Sequence, residues 1–473
     1  MMNQLPFPTP EYKELPLDMV GGNTFGRWPK ISPAETFNMF QVDDALMSFA
    51  GYEVAAIIAP SGVARQLYNS SRFNHLISVI DDGVYIIGTA LNVERVGTLD
   101  TFSGAVYIAE NFASQIAIVD GLNIYLFNYA NDTFIKVDVD FLPVYISFQD
   151  TYFIAADGRT NQWRLSGNND GTMWPADAFH VGAFESKVTN TVATVPLNNQ
   201  LFVFGKTGAE PWYDSGAQLF PYQRNEFYVM DYGCESAETI AVDESLMVWL
   251  ASNEKSGPAI MYSQGGQPQT LSTDGINYRL SQIKNPQSSF GFLYKLEGHV
   301  IYQLTFTDPE DNVSYMYDFN TKKFFTLTDE NMDHHIAKRI AFFNDAYYFI
   351  SFKDGNLYKV GSEFTTYNGF DIPRVRVHSN LRLPNSRRFF CRMATLTIES
   401  GEDSTYQKVN LSISSDGGYT YSHIGSEEVR PLGRRRNMLQ FWNLPNANDM
   451  VFQWRFHGQD RFIITSGEVI IYQ

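Results

Sequence analysis

Cysteine is scarce in this sequence, which has only Cys234 and Cys391 among its 473 residues. Two cysteines cannot form the framework of a disulfide-held secreted domain, and synthesis in a reducing compartment fits them better. Both thiols are therefore expected to be buried packing residues. The sequence has no run of about 18 apolar residues, so no membrane-spanning helix is predicted. Its N-terminus has neither a basic segment nor an apolar core, so a secretory signal is not expected.

Positive charge is the second deficit. The chain has 35 Lys and Arg against 52 Asp and Glu, which gives a net charge of −17. The imbalance is uneven, because residues 373–473 contain 13 basic and 9 acidic residues while residues 1–372 contain 22 and 43. An acidic body of this kind repels nucleic acid instead of binding it. The basic C-terminal part is expected to meet an acidic partner or an acidic surface of another copy.

Recognisable catalytic motifs are also missing. The sequence contains no G-x-S-x-G and no H-E-x-x-H. Gly205-Lys206-Thr207 resembles the end of a P-loop, but Gln200 occupies the position of an essential glycine, and Pro211 argues against the helix that must follow. The sequence therefore predicts no nucleotide site.

An aspartate pair and a histidine pair are the remaining candidates for metal or acid–base chemistry. Asp138 and Asp140 alternate, so on a strand they would share one face, yet no third ligand lies at a useful spacing. His334 and His335 are adjacent, a spacing that does not let both face one zinc ion and that indicates a surface loop. We accordingly predict no catalytic residue, no metal ligand and no cofactor.

Short apolar runs that flank tight polar turns are abundant, and they recur along the chain. Each indicates a β-hairpin, because Asp, Asn and Gly accept the left-handed backbone of a two-residue turn. Seven copies occur: ISVIDDGVYIIG at 77–88, IAIVDGLNIYLFN at 116–128, YISFQDTYFIAA at 145–156, VATVPLNNQLFVFG at 192–205, TIAVDESLMVWLA at 239–251, GFLYKLEGHVIYQL at 291–304 and IAFFNDAYYFIS at 340–351. Six of the seven turns contain Asp or Glu, so their expected role at the hairpin tips is repulsion of phosphate rather than catalysis.

The spacing of these copies predicts the fold. Gaps of 39, 29, 49, 45, 54 and 47 residues between turn centres, with no helical pattern between them, are typical of an all-β chain folded as a β-propeller of six or seven blades. We place the propeller at residues 51–372, with loop-rich excursions at 205–233 and 252–290. An irregular sandwich with numerous hairpins is the alternative interpretation.

The two ends of the chain lie outside the repeat. Residues 1–50 are predicted to form an N-terminal arm and platform strands, including one at 35–40. Residues 373–473 contain short alternating strands without a period, which predicts a C-terminal β-sandwich platform. Within it, residues 414–421 fit the Asp-box pattern S-x-D-x-G-x-T-[WY], interpreted as a structural turn in which Asp416 bonds its own backbone.

The most concentrated charge feature also lies in this C-terminal part. Arg430 is followed closely by Arg434, Arg435 and Arg436. Arginine pairs well with carboxylates and phosphates through its planar fork of donors, which makes these four residues a candidate interface. A solvated loop is the alternative interpretation, and one such cluster is too small for a nucleic-acid-binding surface.

Four segments resemble the packaged DNA stabilization proteins, which form the tail hub or nozzle of short-tailed phages. They are AETFNMFQVDDALMSFAGYEVAA at 34–56, FVFGKTGAEPWYDSGA at 202–217, ASNEKSGPAIMYSQGGQPQTLSTDGINYRLS at 251–281 and LSISSDGGYTYSHIGSEEVRPLGRRRNMLQFWNLPNANDMVFQWRFHG at 411–458. None of these segments is catalytic, and the resemblance rests on their order over nearly the whole chain.

The resemblance implies a non-enzymatic structural virion protein of the phage tail, made in the host cytoplasm. It implies a homohexameric ring below the portal and adaptor rings, with tail fibres, spikes or a plug attached and no membrane insertion. Packaged double-stranded DNA would pass through the lumen without sequence-specific binding. A sialidase-like propeller glycosidase and a carbohydrate-binding propeller remain alternatives. Convergent carboxylates in a deep central pocket would favour the first, and repeated aromatic sites at blade tips the second.

Overall fold

The protein divides into two compact units that are built mainly from β-strands. The structure is a computed structural model that describes residues 12–26, 34–187, 189–217, 219–226, 229–253, 255, 257–399, 407–429 and 436–472. Unit 1 comprises the described residues of Met1–Gly51, Tyr315–Asp333 and Ser362–Gln473, and unit 2 those of Tyr52–Ser314 and His334–Gly361. The described chain has one α-helix, α1, at Asp274–Leu280. Within these residues, no helix has the length and apolar character of a membrane span.

The strands are numbered in chain order. The first five are β1 Tyr12–Leu17, β2 Glu35–Phe37, β3 Met39–Val42, β4 Ala45–Ser48 and β5 Gly51–Ile57. The next twenty are β6 Ala64–Ser70, β7 His75–Ile80, β8 Gly83–Ile87, β9 Val93–Thr98, β10 Tyr107–Glu110, β11 Gln115–Val119, β12 Ile124–Asn128, β13 Thr133–Val137, β14 Pro143–Gln149, β15 Tyr152–Asp157, β16 Gln162–Leu165, β17 Val181–Ala183, β18 Thr191–Leu197, β19 Gln200–Gly205, β20 Ala209–Asp214, β21 Tyr222–Arg224, β22 Ala241–Asp243, β23 Leu246–Ala251, β24 Ala259–Ser263 and β25 Gln269–Thr270. The last sixteen are β26 Phe290–Leu296, β27 His299–Phe306, β28 Val313–Asp318, β29 Lys323–Leu327, β30 Ala337–Phe343, β31 Ala346–Ser351, β32 Asn356–Gly361, β33 Arg374–Val377, β34 Leu381–Arg382, β35 Phe389–Glu399, β36 Gln407–Ser414, β37 Ser422–Val429, β38 Arg436–Trp442, β39 Asn446–Ala447, β40 Asp449–His457 and β41 Ile463–Tyr472. Three short 3-10 turns lie at Ala237–Thr239, Pro286–Ser288 and Pro384–Ser386.

Unit 2 is a β-propeller. Five four-stranded antiparallel sheets follow one another in sequence: β6–β9, β10–β13, β14–β17, β18–β21 and β22–β25. A sixth sheet has the order β30-β31-β32-β5, so a strand from before the first blade completes the last one. The hairpin β26–β27 belongs to a seventh blade, which lies between the fifth and the sixth of these sheets. Its pairing runs from Phe290↔Thr305 to Leu296↔His299. β30 packs beside β6, which closes the ring. The prediction of an all-β propeller with six or seven blades is confirmed.

All seven predicted hairpins are present, and their turns have the backbone that the sequence indicated. Two consecutive residues with positive φ form the tip at Asn198 (50°) and Asn199 (59°), and again at Asn344 (48°) and Asp345 (58°). This is the geometry of a type I′ turn, which matches the twist of the two strands that it joins.

The seven hairpins do not all occupy the same position in their blades. The hairpins at 77–88 and 116–128 join the second and third strands of their blades, whereas the other five join the first and second. In blades 1 and 2 the turns from first to second strand lie at 71–74 and 111–114. This change of position explains the short 29-residue gap between the second and third copies.

The predicted loop-rich excursions are also corrected by the structure. The segment 205–233 contains β20 and β21, and the segment 252–290 contains β24, β25 and α1. These strands are the third and fourth strands of blades 4 and 5. The sequence did not predict these strands because they are short and lie toward the edge of the blade. Fewer side chains are buried there, so the apolar pattern is weak.

The core of unit 2 lies between neighbouring blades. The middle strands are buried on both faces because another blade covers each face, so they read as continuous apolar runs such as those of β11 and β19. Aromatic rings fill the gaps: Phe204 of blade 4 meets Trp249 of blade 5 at 5.4 Å between ring centroids, and Trp163 of blade 3 meets Trp212 of blade 4 at 5.4 Å.

Unit 1 consists of two sheets formed by both ends of the chain together. One has the order β3-β4-β41-β35-β38, with β1 beside β41 and β39 beside β35. In the other, β29, β2, β33, β40, β36 and β37 follow in that order, with β34 beside β40. Phe441 of the first sheet meets Trp454 of the second edge-on at 5.3 Å, so the sheets pack face to face. The predicted platform of short strands from both termini is confirmed, and the predicted strand at 35–40 is interrupted at Asn38, whose φ is 54°.

A buried arginine fastens the N-terminal segment to the C-terminal strands. Arg376 on β33 is 1% exposed, and its Nη1 donates hydrogen bonds to the carbonyl of Gly21 at 3.2 Å and to the hydroxyl of Thr36 at 2.8 Å. Its Nη2 donates to the carbonyl of Asp18 at 2.8 Å. These bonds satisfy carbonyls that burial would otherwise leave without a donor.

Candidate functional site

Of the four arginines predicted as an interface, Arg436 is described by the structure. It is exposed at the start of β38 and lies opposite Glu399 in the register with β35. Arg430, Arg434 and Arg435 lie outside the described residues.

The face of unit 1 that carries Arg436 exposes several large apolar side chains. Residues of β38 alternate between exposed and buried, and Met438 and Trp442 on the exposed side are 64% and 47% exposed. Further along the same sheet, Tyr12 is 51% exposed, and its ring lies 5.9 Å from that of Tyr472, which in turn stacks on Phe390 at 5.1 Å. We call Tyr12, Phe390, Met438, Trp442 and Tyr472 the aromatic stripe. Exposed apolar side chains gathered on one face mark interaction surfaces more often than scattered ones do.

A cavity of about 280 Å³ lies where first strands of the unit 2 blades converge. Its wall includes Gln66 and Tyr68 of β6, Tyr107 of β10, Tyr145 of β14 and Arg339 of β30. None of the described residues that line it is Asp or Glu. None of these residues was predicted from the sequence as part of a site. A signal was available, because each of the three tyrosines precedes a hairpin, but the first strands of blades 1 and 2 were not recognised as such.

Arg339 is held in place by an ion cluster next to this cavity. Its Nη1 donates to the carbonyls of Glu238 at 2.8 Å and Gly291 at 2.7 Å, and its Nη2 lies 3.5 Å from Glu238 Oε1. Lys338 Nζ lies 2.7 Å from the same oxygen. Burial lowers the pKa of Lys338, and the Glu238 carboxylate opposes that shift. Two cations therefore share one carboxylate, which leaves this side of the cavity with an excess of positive charge.

Acidic side chains of two hairpin turns form hydrogen bonds or ion pairs that stabilise the local structure. Asp120 is 4% exposed, and its Oδ1 accepts hydrogen bonds from the amides of Leu122 at 3.0 Å and Asn123 at 2.8 Å. Glu244 Oε1 accepts from Lys295 Nζ of the neighbouring hairpin at 2.9 Å, a pairing that raises the pKa of Lys295. These contacts give the turns a structural role, whereas repulsion of phosphate at the hairpin tips stays a prediction.

The P-loop-like segment and the aspartate pair have structural roles or no role in a site. Gly205 ends β19 and is followed by strand β20, so the helix that a P-loop requires is absent there, as predicted. Asp138 and Asp140 are exposed but lie beyond the end of β13 at Val137, so the idea that they share a strand face is wrong. Among the described residues, no group of His, Cys, Asp and Glu is arranged to hold a metal ion.

The histidine pair lies in the connection between β29 and β30, and the prediction of a surface position is wrong for His335. His335 is 4% exposed, and its ring lies 5.7 Å from that of Tyr52 and 5.9 Å from that of Phe349. The ring of His334 stacks on Phe352 at 4.6 Å. Adjacent residues here point to opposite sides of the backbone, so one histidine enters the core and the other lies on an aromatic ring.

Both cysteines are buried free thiols, as predicted. Burial raises the pKa of Cys234 to about 12 and that of Cys391 to about 12, so neither is an activated nucleophile.

The Asp box is a structural turn, as predicted. Asp416 Oδ1 accepts hydrogen bonds from the amides of Tyr419 and Thr420 at 2.9 Å each, and Oδ2 accepts from the Thr420 hydroxyl at 2.6 Å. Hydrogen bonds from the hydroxyls of Ser414 and Thr420, followed by those amide bonds, hold the pKa of Asp416 well below its ordinary value. The turn joins β36 to β37.

The fold and these contacts define a β-propeller protein with a two-sheet unit formed by both chain ends. Residues 37–363 match the phage stabilisation family described as "Bacteriophage P22 Gp10, beta-propeller". The chain therefore belongs to this family of phage structural proteins, which act in packaged DNA stabilization. The family assignment confirms the resemblance inferred from the sequence, and it does not favour the glycosidase or the carbohydrate-binding alternative.

Several solved structures are similar to part of this chain at low sequence identity. The streptogramin B lyase structure has a TM-score of 0.44 and 9% identity, covering 66% of this chain and 97% of that one. The N-terminal domain of Nup159 has a TM-score of 0.41 and 12% identity, covering 70% and 98%. The extracellular domain of BT4673 from B. thetaiotaomicron has a TM-score of 0.44 and 10% identity over 66% of this chain, which spans 40% of that protein's length. No curated protein matches the sequence.

Proposed function

We propose that this chain is the subunit of a ring in the tail of a short-tailed phage, a hub or nozzle below the portal and its adaptor. The ring retains packaged DNA, guides its ejection and anchors fibres, spikes or a plug. The observation that carries this proposal is the family match over 37–363, which spans the propeller. The two-sheet unit formed by both chain ends supports it, because the resemblance to this family implies a platform built from the two terminal segments.

The ring proposal requires two different surfaces on each subunit, since head-to-tail contacts between identical copies join unlike patches. The aromatic stripe with Arg436 is one such surface, and its occupant is a second copy of this chain. Charge supports that choice, because residues 373–473 carry more basic than acidic residues while residues 1–372 contain 43 acidic and 22 basic residues. The stripe supplies apolar area, and the arginines steer it toward an acidic neighbour.

In the proposed ring, DNA slides through an acidic lumen. Phosphates and wall carboxylates repel each other, so the duplex does not adhere during ejection. The net charge of −17 supports this proposal.

The test is ring formation by full-length variants. Trp442→Ser combined with Met438→Ser removes apolar area from the stripe, and Arg434→Ala, Arg435→Ala and Arg436→Ala together remove its charge. We expect both to reduce assembly on the adaptor ring at least tenfold, measured as mass by light scattering and as rings by electron microscopy. Met173→Ser is the matched control, because Met173 is 57% exposed on a propeller loop.

Two outcomes would contradict the proposal. Rings of normal mass from both sets of variants would exclude the stripe as the contact between copies. A wild-type chain that stays monomeric and never joins the adaptor would argue against the tail hub itself.

A further inference from the structure

The cavity of unit 2 combines features that point to a ligand. It is lined by the first strands of several blades, so residues far apart in the sequence contribute to one wall. Its volume is about 280 Å³, and a water molecule in the liquid occupies roughly 30 Å³, so it has room for a molecule of about ten non-hydrogen atoms. This size is near the lower limit for small-molecule sites.

The polar groups that converge on the cavity are mainly hydrogen-bond donors. Arg339 is 8% exposed and lies beside the single carboxylate that it shares with Lys338. Gln66 supplies an amide, whose Nε2 donates to the carbonyl of Val106 at 2.7 Å. With no Asp or Glu among the described lining residues, the wall favours an anion.

Two tyrosines add donors on the same wall. Tyr107 is 8% exposed, and its ring lies 4.3 Å from that of Tyr145. Within the described chain, neither phenol hydroxyl has a hydrogen-bond partner, although both residues line the cavity. Both hydroxyls are therefore available to a molecule that enters the cavity.

The protonation state of these tyrosines fits the role of donor. Burial raises the pKa of Tyr145 to about 12, and Arg339 only partly offsets this. Burial also raises the pKa of Tyr107 well above its ordinary value. Both phenols therefore stay protonated at neutral pH. Arg339 lines the same cavity as both tyrosines.

We propose that this cavity binds a small organic carboxylate, with Arg339 and the hydroxyls of Tyr107 and Tyr145 as its donors. Phenol and guanidinium donors match the oxygens of a carboxylate, and the rings of Tyr107, Tyr145 and Phe292 provide apolar walls for an attached ring or chain. This site is separate from the aromatic stripe and does not depend on ring assembly.

Calorimetric titration of the full-length protein with benzoate tests the proposal, with benzamide as its uncharged isostere. We expect one benzoate per chain with a dissociation constant of about 1 mM or tighter. Benzamide should bind at least about tenfold more weakly, because it lacks the charge that the guanidinium recognises. Inorganic phosphate serves as the second probe.

Tyr107→Phe and Tyr145→Phe remove only the hydroxyls that lack a protein partner. Each should weaken benzoate binding roughly threefold to tenfold, the worth of one hydrogen bond, and leave thermal stability unchanged. Tyr302→Phe is the control, because the Tyr302 hydroxyl donates to the Thr239 carbonyl at 2.8 Å and is absent from the cavity wall. That variant should lose stability and keep its affinity for benzoate.

Any one of four results would overturn the proposal. Benzoate and benzamide could bind equally, or neither could bind at the expected strength. The two phenylalanine variants could bind benzoate as wild type does. Binding of phosphate without binding of benzoate would also exclude an organic carboxylate as the ligand.

Discussion

Arg65 on β6 is the residue whose loss should destabilise the propeller most clearly. It is 3% exposed, and its guanidinium donates five hydrogen bonds, which end on Asp81, Thr101, Ser103 and Gly104. The distances are 2.8 to 2.9 Å. Its partners lie in the second turn of blade 1 and in the connection to blade 2, so one side chain fixes the boundary between two blades.

The expected cost follows from these bonds. Arg65→Met keeps the length of the side chain but leaves four buried carbonyls without their charged donor. A hydrogen bond to a charged group contributes about 1.5–3 kcal/mol, the bonds are not additive, and desolvation, which lowers the pKa of Arg65, offsets part of the gain. We therefore expect a loss of about 3–5 kcal/mol in the free energy of unfolding, as for other broken buried charge networks. Arg65→Lys should lose about half of that, since an ammonium group cannot reproduce the planar fork.

Urea denaturation followed by tryptophan fluorescence measures the loss, and hydrogen exchange of residues 99–106 locates it. Arg95→Met in the same blade is the control. Arg95 lies 3.4 Å from Asp82 with both side chains well exposed, so its removal should cost below about 1 kcal/mol. The reasoning is refuted if Arg65→Met lies within about 0.5 kcal/mol of wild type, or if Arg95→Met costs as much.

Two further predictions concern packing and pH. Gly182→Ala would place a Cβ inside the indole of Trp163, so we expect a loss of about 1–3 kcal/mol on urea denaturation, whereas Gly266→Ala meets no atom within 4 Å and should be neutral. His378 accepts a hydrogen bond from the Asp18 amide at 2.8 Å, and burial, with Arg376 beside it, lowers its pKa from 6.5 to about 4. The unfolded chain therefore binds the proton first, so the stabilisation is complete above about pH 6.5 and is lost as the pH falls toward about 4. Urea midpoints at several pH values should show this slope in wild type and less of it in His378→Gln, and equal slopes would contradict the assignment.

The local features of the fold were predictable from the sequence, because a hairpin turn is decided by two or three residues. Asn198-Asn199 and the turn at Asn344-Asp345 adopt positive φ because their side chains tolerate that backbone. The position of a hairpin within its blade was not predictable in this way. A turn between second and third strands has the same chemistry as one between first and second, so 77–88 and 145–156 look alike although they occupy different places.

Long-range relations were also beyond the sequence pattern. Nothing local in Gly51–Ile57 indicates that it pairs with β32, which lies about 300 residues later, because an edge strand carries little apolar pattern of its own. The same limit applies to the cavity. Its lining extends from Gln66 to Ile340, and each residue looks like ordinary strand composition until the ring closes.

The position of each hairpin also changes the argument about charge. Successive turns of an antiparallel blade lie at opposite ends of its strands, so Asp81, Asp82 and Asp120 lie at the other end of their blades from Asp150 and Asp345. The acidic turns therefore cannot form one ring of carboxylates. Asp120 is buried in its own turn and Glu244 is paired with Lys295, which further reduces the charge available at either end. A wall that repels DNA would have to draw on acidic residues outside the hairpin tips, and substitutions at the tips alone should leave DNA passage unchanged.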